Sequence, residues 1–240
     1  MTVLNAKGKP FTWSYSALTD FEGCPARFAA RRFYCTTVEA ETEEMKWGNR
    51  VHKAFEERIR DGKAFHPDLA AYEPWARVLE RLPGEKFVER KFAVRKNHHP
   101  CGFFDADAYG RGVIDLLVID GDTATIIDYK TGKKKDDETQ LDLFAWFVVN
   151  EFDGRIKKTK SRYIWLKYVG LSPAQLVEQK IQIISGKELG YLDAKMVMNK
   201  MLPRIETMER AWDEENFPCF PSGLCGWCPV EECVHWRPRR

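Results

Sequence analysis

Gly112-Val-Ile-Asp-Leu-Leu-Val-Ile119 and Thr123-Ala-Thr-Ile-Ile-Asp-Tyr-Lys130, separated by Asp120-Gly-Asp122, decide the fold class. Aliphatic and β-branched residues fill both runs, and Gly paired with Asp between such runs signals a tight hairpin. The two segments are therefore read as adjacent antiparallel strands. Val113, Ile114, Leu116 to Ile119, Ile126 and Ile127 are apolar at odd and even positions alike, which predicts a sheet covered on both faces. Side chains alternate along a strand, so Asp115, Asp128 and Lys130 share one face in either two-residue register. A Gly121-Asp122 turn sets Asp115 directly opposite Asp128; an Asp120-Gly121 turn sets it opposite Ile126. Two carboxylates there repel each other and need compensation, which either a divalent cation or a plain Asp–Lys salt bridge supplies.

Outward from the hairpin, the spacing predicts helices on both sides. Residues 11–33 read as helix, turn, helix, opened by Ser14 and broken at Cys24-Pro25. Residues 45–59 carry Val51, Ala54, Phe55 and Ile59 at helical spacing, with Gly62 as the stop signal. A further helix is predicted near 72–81, a strand at 87–94 and a polar loop at 97–104. Beyond the hairpin, 136–150 reads as a helix with Leu141, Phe144, Ala145, Val148 and Val149 on one side. A strand at 161–169 and a long helix at 187–212 follow. The expectation is one α/β domain over residues 1–240, a central mixed sheet flanked by helices. Its parts are a helical segment (1–85), a sheet core (86–170) and a helical tail (171–240).

The 240 residues are 44% hydrophobic, enough for a substantial core. Lys and Arg total 38 against 36 Asp and Glu, so any polyanion must be held by local patches. Candidates are Arg27 with Arg31, Lys133 to Lys135, and Lys157, Lys158, Lys160 and Arg162; Tyr15, Trp47 and Trp227 are available to stack on bases. No apolar run approaches the ~20 residues of a membrane span, and the first residues lack a signal-peptide stretch, so a soluble cytoplasmic protein is expected. Seven cysteines suggest metal ligands or buried thiols. Cys225-Gly-Trp-Cys228-Pro-Val-Glu-Glu-Cys233 brings three thiols together in a turn-rich segment, and the fourth ligand is Cys219 or Cys24. Thiolates suit zinc and iron–sulfur clusters alike. Cys35 and Cys101 read as ordinary thiols. Taken singly, His52 reads as a packed histidine, Glu56 as a solvated residue and Gln140 as a helix-start residue. Glu89, on its strand, is assigned no role.

Taken in order, Gly48-x-x-x-His52-x-x-x-Glu56, Gly112-x-x-Asp115, Asp128-Tyr-Lys130-Thr-Gly and Gln140 resemble the RecB-type nuclease domain of the PD-(D/E)xK superfamily. Ser14-Tyr-Ser-Ala-Leu-Thr-Asp-Phe-Glu-Gly-Cys24-Pro-Ala-Arg-Phe28 and the closing cysteines are similar to the branch that holds an iron–sulfur cluster. The resemblance implies a restriction-endonuclease-like core whose termini are joined at a four-cysteine cluster. It further implies metal-dependent phosphodiester cleavage of DNA, as an exonuclease acting on ends or single strands in replication, recombination or repair. The site it implies has Mg²⁺ or Mn²⁺ at His52, Asp115 and Asp128, Lys130 as the catalytic lysine and Gln140 in the covering helix. The cluster it implies is [4Fe-4S] on Cys24, Cys225, Cys228 and Cys233, and the partners are DNA and a helicase or recombination protein. Phe144 departs from the family's Gln-x-x-x-Tyr pattern and removes a hydroxyl. The rival expectation is a non-catalytic nucleic-acid-binding or adaptor protein with a structural four-cysteine zinc site.

Overall fold

The computed structural model describes residues 3–38, 40–178 and 182–237. The chain gathers into two compact units, one from Met1–Ala40, Ala93–Arg111 and Met198–Arg240, the other from Glu41–Phe92 and Gly112–Val197. In the first, Ser14 Oγ accepts from the Ala17 amide and caps α1 (Tyr15–Gly23). Cys24 breaks the helix in extended backbone, and Pro25 starts α2 (Pro25–Phe28), where its missing N–H costs nothing. The predicted helix, turn, helix is therefore present, and the chain runs on as a π-helical turn, Ala29–Phe33. Phe11, Phe28 and Phe33 surround Trp212 with ring centroids 5.7, 6.4 and 4.8 Å away.

In the second unit Thr42 caps α3 (Glu43–Asp61), which ends at Gly62 with φ +67°. Along the chain after α4 (Glu73–Glu80) come β1 (Glu85–Val94), β2 (Gly110–Asp120), β3 (Thr123–Lys130), α5 (Thr139–Glu151), β4 (Lys158–Trp165), α6 (Pro173–Glu178), β5 (Ile184–Gly190) and α7 (Tyr191–Asp213), of which α7 from Met198, β1 from Ala93 and β2 through Arg111 belong to the first unit. The sheet order is β1-β2-β3-β4-β5. The pair β2/β3 is antiparallel, β3/β4 parallel and β4/β5 antiparallel, which makes the sheet mixed. Parallel neighbours need a crossover, and α5 makes it between β3 and β4. Asp120 pairs with Thr123, so the turn is Gly121-Asp122, with Gly121 at φ +59°. Val51 and Phe55 of α3 pack with Leu69, Tyr72, Ala76 and Leu79 onto Leu116, Val118, Ile127 and Tyr129.

Two predicted elements differ. Residues 184–190 form a strand where a helix is predicted from 187. Its side chains alternate between exposed and half-buried, the period of an edge strand. Gly186 packs so tightly that a Cβ would come within 2.1 Å of the Ser161 carbonyl oxygen, and helix begins only after Gly190. In α5, Leu143, Trp146 and Phe147 are buried along with the predicted face, so the helix is covered on all sides rather than amphipathic. No described helix is long and apolar enough to cross a membrane.

Candidate active site

Helical spacing puts Met45, Gly48, Asn49, His52 and Glu56 on one face of α3, and that face lines a cleft of about 1000 Å³ with Glu89, Asp115, Lys133 and Lys167. Gly48 permits a close approach: a Cβ there would lie 3.0 Å from Thr131 Oγ1, just past Lys130. His52 Nδ1 stands 3.2 Å from Asp115 Oδ1. Asp115 Oδ2 accepts from the Tyr129 backbone amide at 2.7 Å. The paired register ends at Leu116 and Ile127, so this carboxylate replaces a backbone acceptor where the ladder stops. His52, Glu89 and Asp115 each offer a donor atom within 4.8 Å of the others.

Asp128 belongs to a second cluster on the α5 side. Lys130 Nζ is 2.5 Å from Asp128 Oδ2 and donates to Gln140 Oε1 at 2.8 Å, while Gln140 Nε2 donates to Asp128 Oδ1 at 3.2 Å. The Lys130 ammonium also lies 5.0 Å from the Tyr163 ring centre, and Tyr163 pairs with Asp128 across β3 and β4. Gln140 thus fixes both charged groups from the first turn of α5.

The carboxyls carry more negative charge than their surroundings balance. Burial, then the charge of Asp115, push the Asp128 carboxyl up to about 7 despite Lys130. Burial, then Asp115, also raise Glu89. For His52, burial acts to lower the pKa, but the hydrogen bond to Asp115 and the nearby carboxylate charges raise it overall. A divalent cation would supply the missing positive charge, and oxygen donors with one imidazole suit Mg²⁺ or Mn²⁺.

Glu89 was not expected in this cluster. It sits at φ +51°, rare for a residue with a side chain, and forms a bulge in β1. The bulge shows in the packing and not in the sequence: Phe87 packs on Phe152 and Phe92 on Phe147, both on α5 or at its end, although the two phenylalanines are five positions apart. An odd separation puts two side chains on one face only when a residue is inserted between them.

Family comparison agrees with this geometry. The model of the PD-(D/E)XK nuclease superfamily matches residues 12–233. The chain belongs to the PD-(D/E)XK nuclease superfamily. Its mixed five-stranded sheet with flanking helices is the restriction-endonuclease-like α/β arrangement. No curated protein matches the chain. A solved structure, "Crystal structure of SSO0001", superposes with TM-score 0.39 at 10% identity, over 95% of this chain and 89% of that one.

In this superfamily member several of the predicted basic residues are engaged in ion pairs. Arg27 and Arg31 both bind the buried Asp20 at 3.0 Å. Lys158 and Arg162 are paired with Glu188. Lys133 does line the cleft, while Trp47 is stacked by Arg50 at 5.7 Å. Cys24, Cys219, Cys225, Cys228 and Cys233 all line one cavity of about 350 Å³. The Ala26 amide donates to the Pro218 carbonyl at 3.3 Å, which brings the start of α2 beside the residue preceding Cys219. Both candidates for the fourth thiol are therefore at the cavity, and Cys35 and Cys101 are not among its lining residues.

Proposed function

We propose that this chain is a Mg²⁺- or Mn²⁺-dependent DNA exonuclease of the RecB-type branch, acting on DNA ends or single strands. The observation that carries the reading is the pairing of two clusters: donor atoms of His52, Glu89 and Asp115 within 4.8 Å of one another, and Lys130 held between Asp128 and Gln140. A divalent cation at His52, Glu89 and Asp115, with Asp128 beside them, would polarise the scissile phosphate and lower the pKa of a water. Asp115 does double duty, since its other oxygen accepts from the Tyr129 amide and so stays aimed. Lys130 orients the attacking water and offsets charge developing on the phosphate, with Gln140 fixing its ammonium. Lys133 and Lys167, which line the cleft, meet the phosphate backbone.

The cysteine cavity suits a [4Fe-4S] cluster on Cys24, Cys225, Cys228 and Cys233. Sulfurs around one zinc ion, at about 2.3 Å each, stand roughly 3.8 Å apart. Among the described residues no three thiols lie within 4.8 Å of one another. The cluster's role in this reading is structural, holding α2 against the C-terminal segment. The non-catalytic adaptor reading is unsupported, although the 3.8 Å between Cys219 Sγ and Cys233 Sγ matches the spacing of two ligands on one zinc. A helicase or recombination protein that exposes ends is the partner we propose.

End-labelled linear DNA, single- and double-stranded, incubated beside closed circular single strands with Mg²⁺, Mn²⁺ or a chelator, tests the reading. Metal-dependent degradation of the linear forms only is expected. Cleavage of the circles would replace exonuclease by endonuclease, and no cleavage with either metal would contradict the activity.

A further inference from the structure

Cys219 is the surplus member of the five-thiol cavity. Its Sγ is 3.8 Å from that of Cys233, and it is exposed whereas the other four are half-buried. Two sulfurs this close fit one tetrahedral ion with bonds of about 2.3 Å, whereas ligands on different irons of a cubane stand farther apart. When Cys233 serves a cluster, Cys219 is therefore left over beside it. The 14-residue separation between the two holds Pro221, Gly223, Gly226 and Pro229, a turn-rich stretch that returns the chain on itself.

We propose that Cys219 and Cys233 form a reversible disulfide under attack by a hydroperoxide. Cys219 is the exposed thiol and meets the oxidant first. Its thiolate attacks one peroxide oxygen, the O–O bond breaks, hydroxide (or an alkoxide) leaves, and Cys219 becomes a sulfenic acid. In cluster-free protein, where Cys233 is not bound to iron, its thiolate then attacks the sulfenic sulfur; the S–S bond forms, the S–O bond breaks, and hydroxide departs to be protonated as water. The two thiols lose two electrons and the peroxide gains them. A disulfide brings the sulfurs from van der Waals contact at 3.8 Å to about 2.0 Å. The consequence, which rests on the iron–sulfur reading, is that oxidation removes Cys233 from the ligand set and bars cluster assembly until a thiol reductant reopens the pair.

The test treats the protein as purified anaerobically with hydrogen peroxide, blocks remaining thiols, digests it and weighs the peptides. The expected product is a Cys219–Cys233 linked peptide, two hydrogens lighter than its parts and cleaved by dithiothreitol. A second arm adds ferrous iron and sulfide after oxidation and follows the visible absorbance. Wild type should recover it only after dithiothreitol, and Cys219→Ser without. A Cys225–Cys228 link, or all five thiols blocked after peroxide, overturns the pair. Equal loss of recovery in wild type and Cys219→Ser overturns the consequence. Protein that never takes up iron overturns the iron–sulfur reading instead, and the linked peptide then decides the pair alone.

Discussion

The Tyr129 backbone amide donates to Asp115 Oδ2 at 2.7 Å, at the point where the β2/β3 ladder ends. One carboxylate thus closes the sheet with one oxygen and faces His52 with the other. Asp115→Asn keeps an oxygen acceptor for the amide, whereas Asp115→Ala leaves a buried N–H unpaired at a cost of about 1–3 kcal/mol. Both variants should lose cleavage, and only the alanine variant should lose that much stability in urea unfolding. Equal stability of the two would remove the structural half of the assignment.

Glu89→Gln removes a charge from the proposed metal site without changing side-chain shape. The Mn²⁺ concentration for half-maximal cleavage should rise roughly tenfold, equivalent to about 1.4 kcal/mol of metal binding. An unchanged metal titration would return Glu89 to a structural role in the β1 bulge.

The metal-free protein should lose stability as pH rises. Asp128, at about 7 in the fold, and Glu89 both have raised pKa values, so protonation favours the folded state and ionisation penalises it. His52 acts in the same direction: its raised pKa gives stability at low pH that disappears as pH climbs through its folded value. In chelator, Tm should therefore fall between about pH 4 and 7, the interval between the free and folded values of Asp128, with His52 extending the fall above its free value of about 6.5. Mn²⁺ should restore it, and Asp128→Asn should flatten the fall while abolishing cleavage. A Tm that rises over this range, or ignores Mn²⁺, would contradict an uncompensated carboxyl cluster.

Phe144 is buried in α5, four residues after Gln140, while the water-activating groups are on the sheet and on α3. Phe144→Tyr should change the cleavage rate by less than about tenfold, under 1.4 kcal/mol in barrier. An inactive wild type rescued by this single change would mark a degenerate nuclease.

The hairpin was legible because two apolar runs flanked a glycine turn, but the turn pair was not. Asp120-Gly121 and Gly121-Asp122 are both good turn sequences, and only the Asp120–Thr123 pairing distinguishes them. His52 was legible through the ordered motif set, since one histidine beside Val51 and Phe55 is equally a packed residue. Glu89 was hidden by its bulge, which breaks the alternation that strand reading depends on. Strand β5 was hidden because Lys187-Glu-Leu189 has good helix formers and an edge strand has no strong apolar alternation. Cysteine spacing brought three thiols together, and only the folded chain brings Cys219 within 3.8 Å of Cys233.

The central claim is that Lys130 and Asp128 act as one unit beside the His52, Glu89 and Asp115 cluster, and cleavage rates of Lys130→Ala, Asp128→Ala and the double variant on end-labelled linear DNA with Mn²⁺ test it most directly. Each single change should cost about a hundredfold or more, and the double variant should be little worse than either, because groups acting together lose their effect together. Lys130→Ala cleaving at the parental rate would contradict the account and leave the Lys130–Asp128 contact as a salt bridge alone.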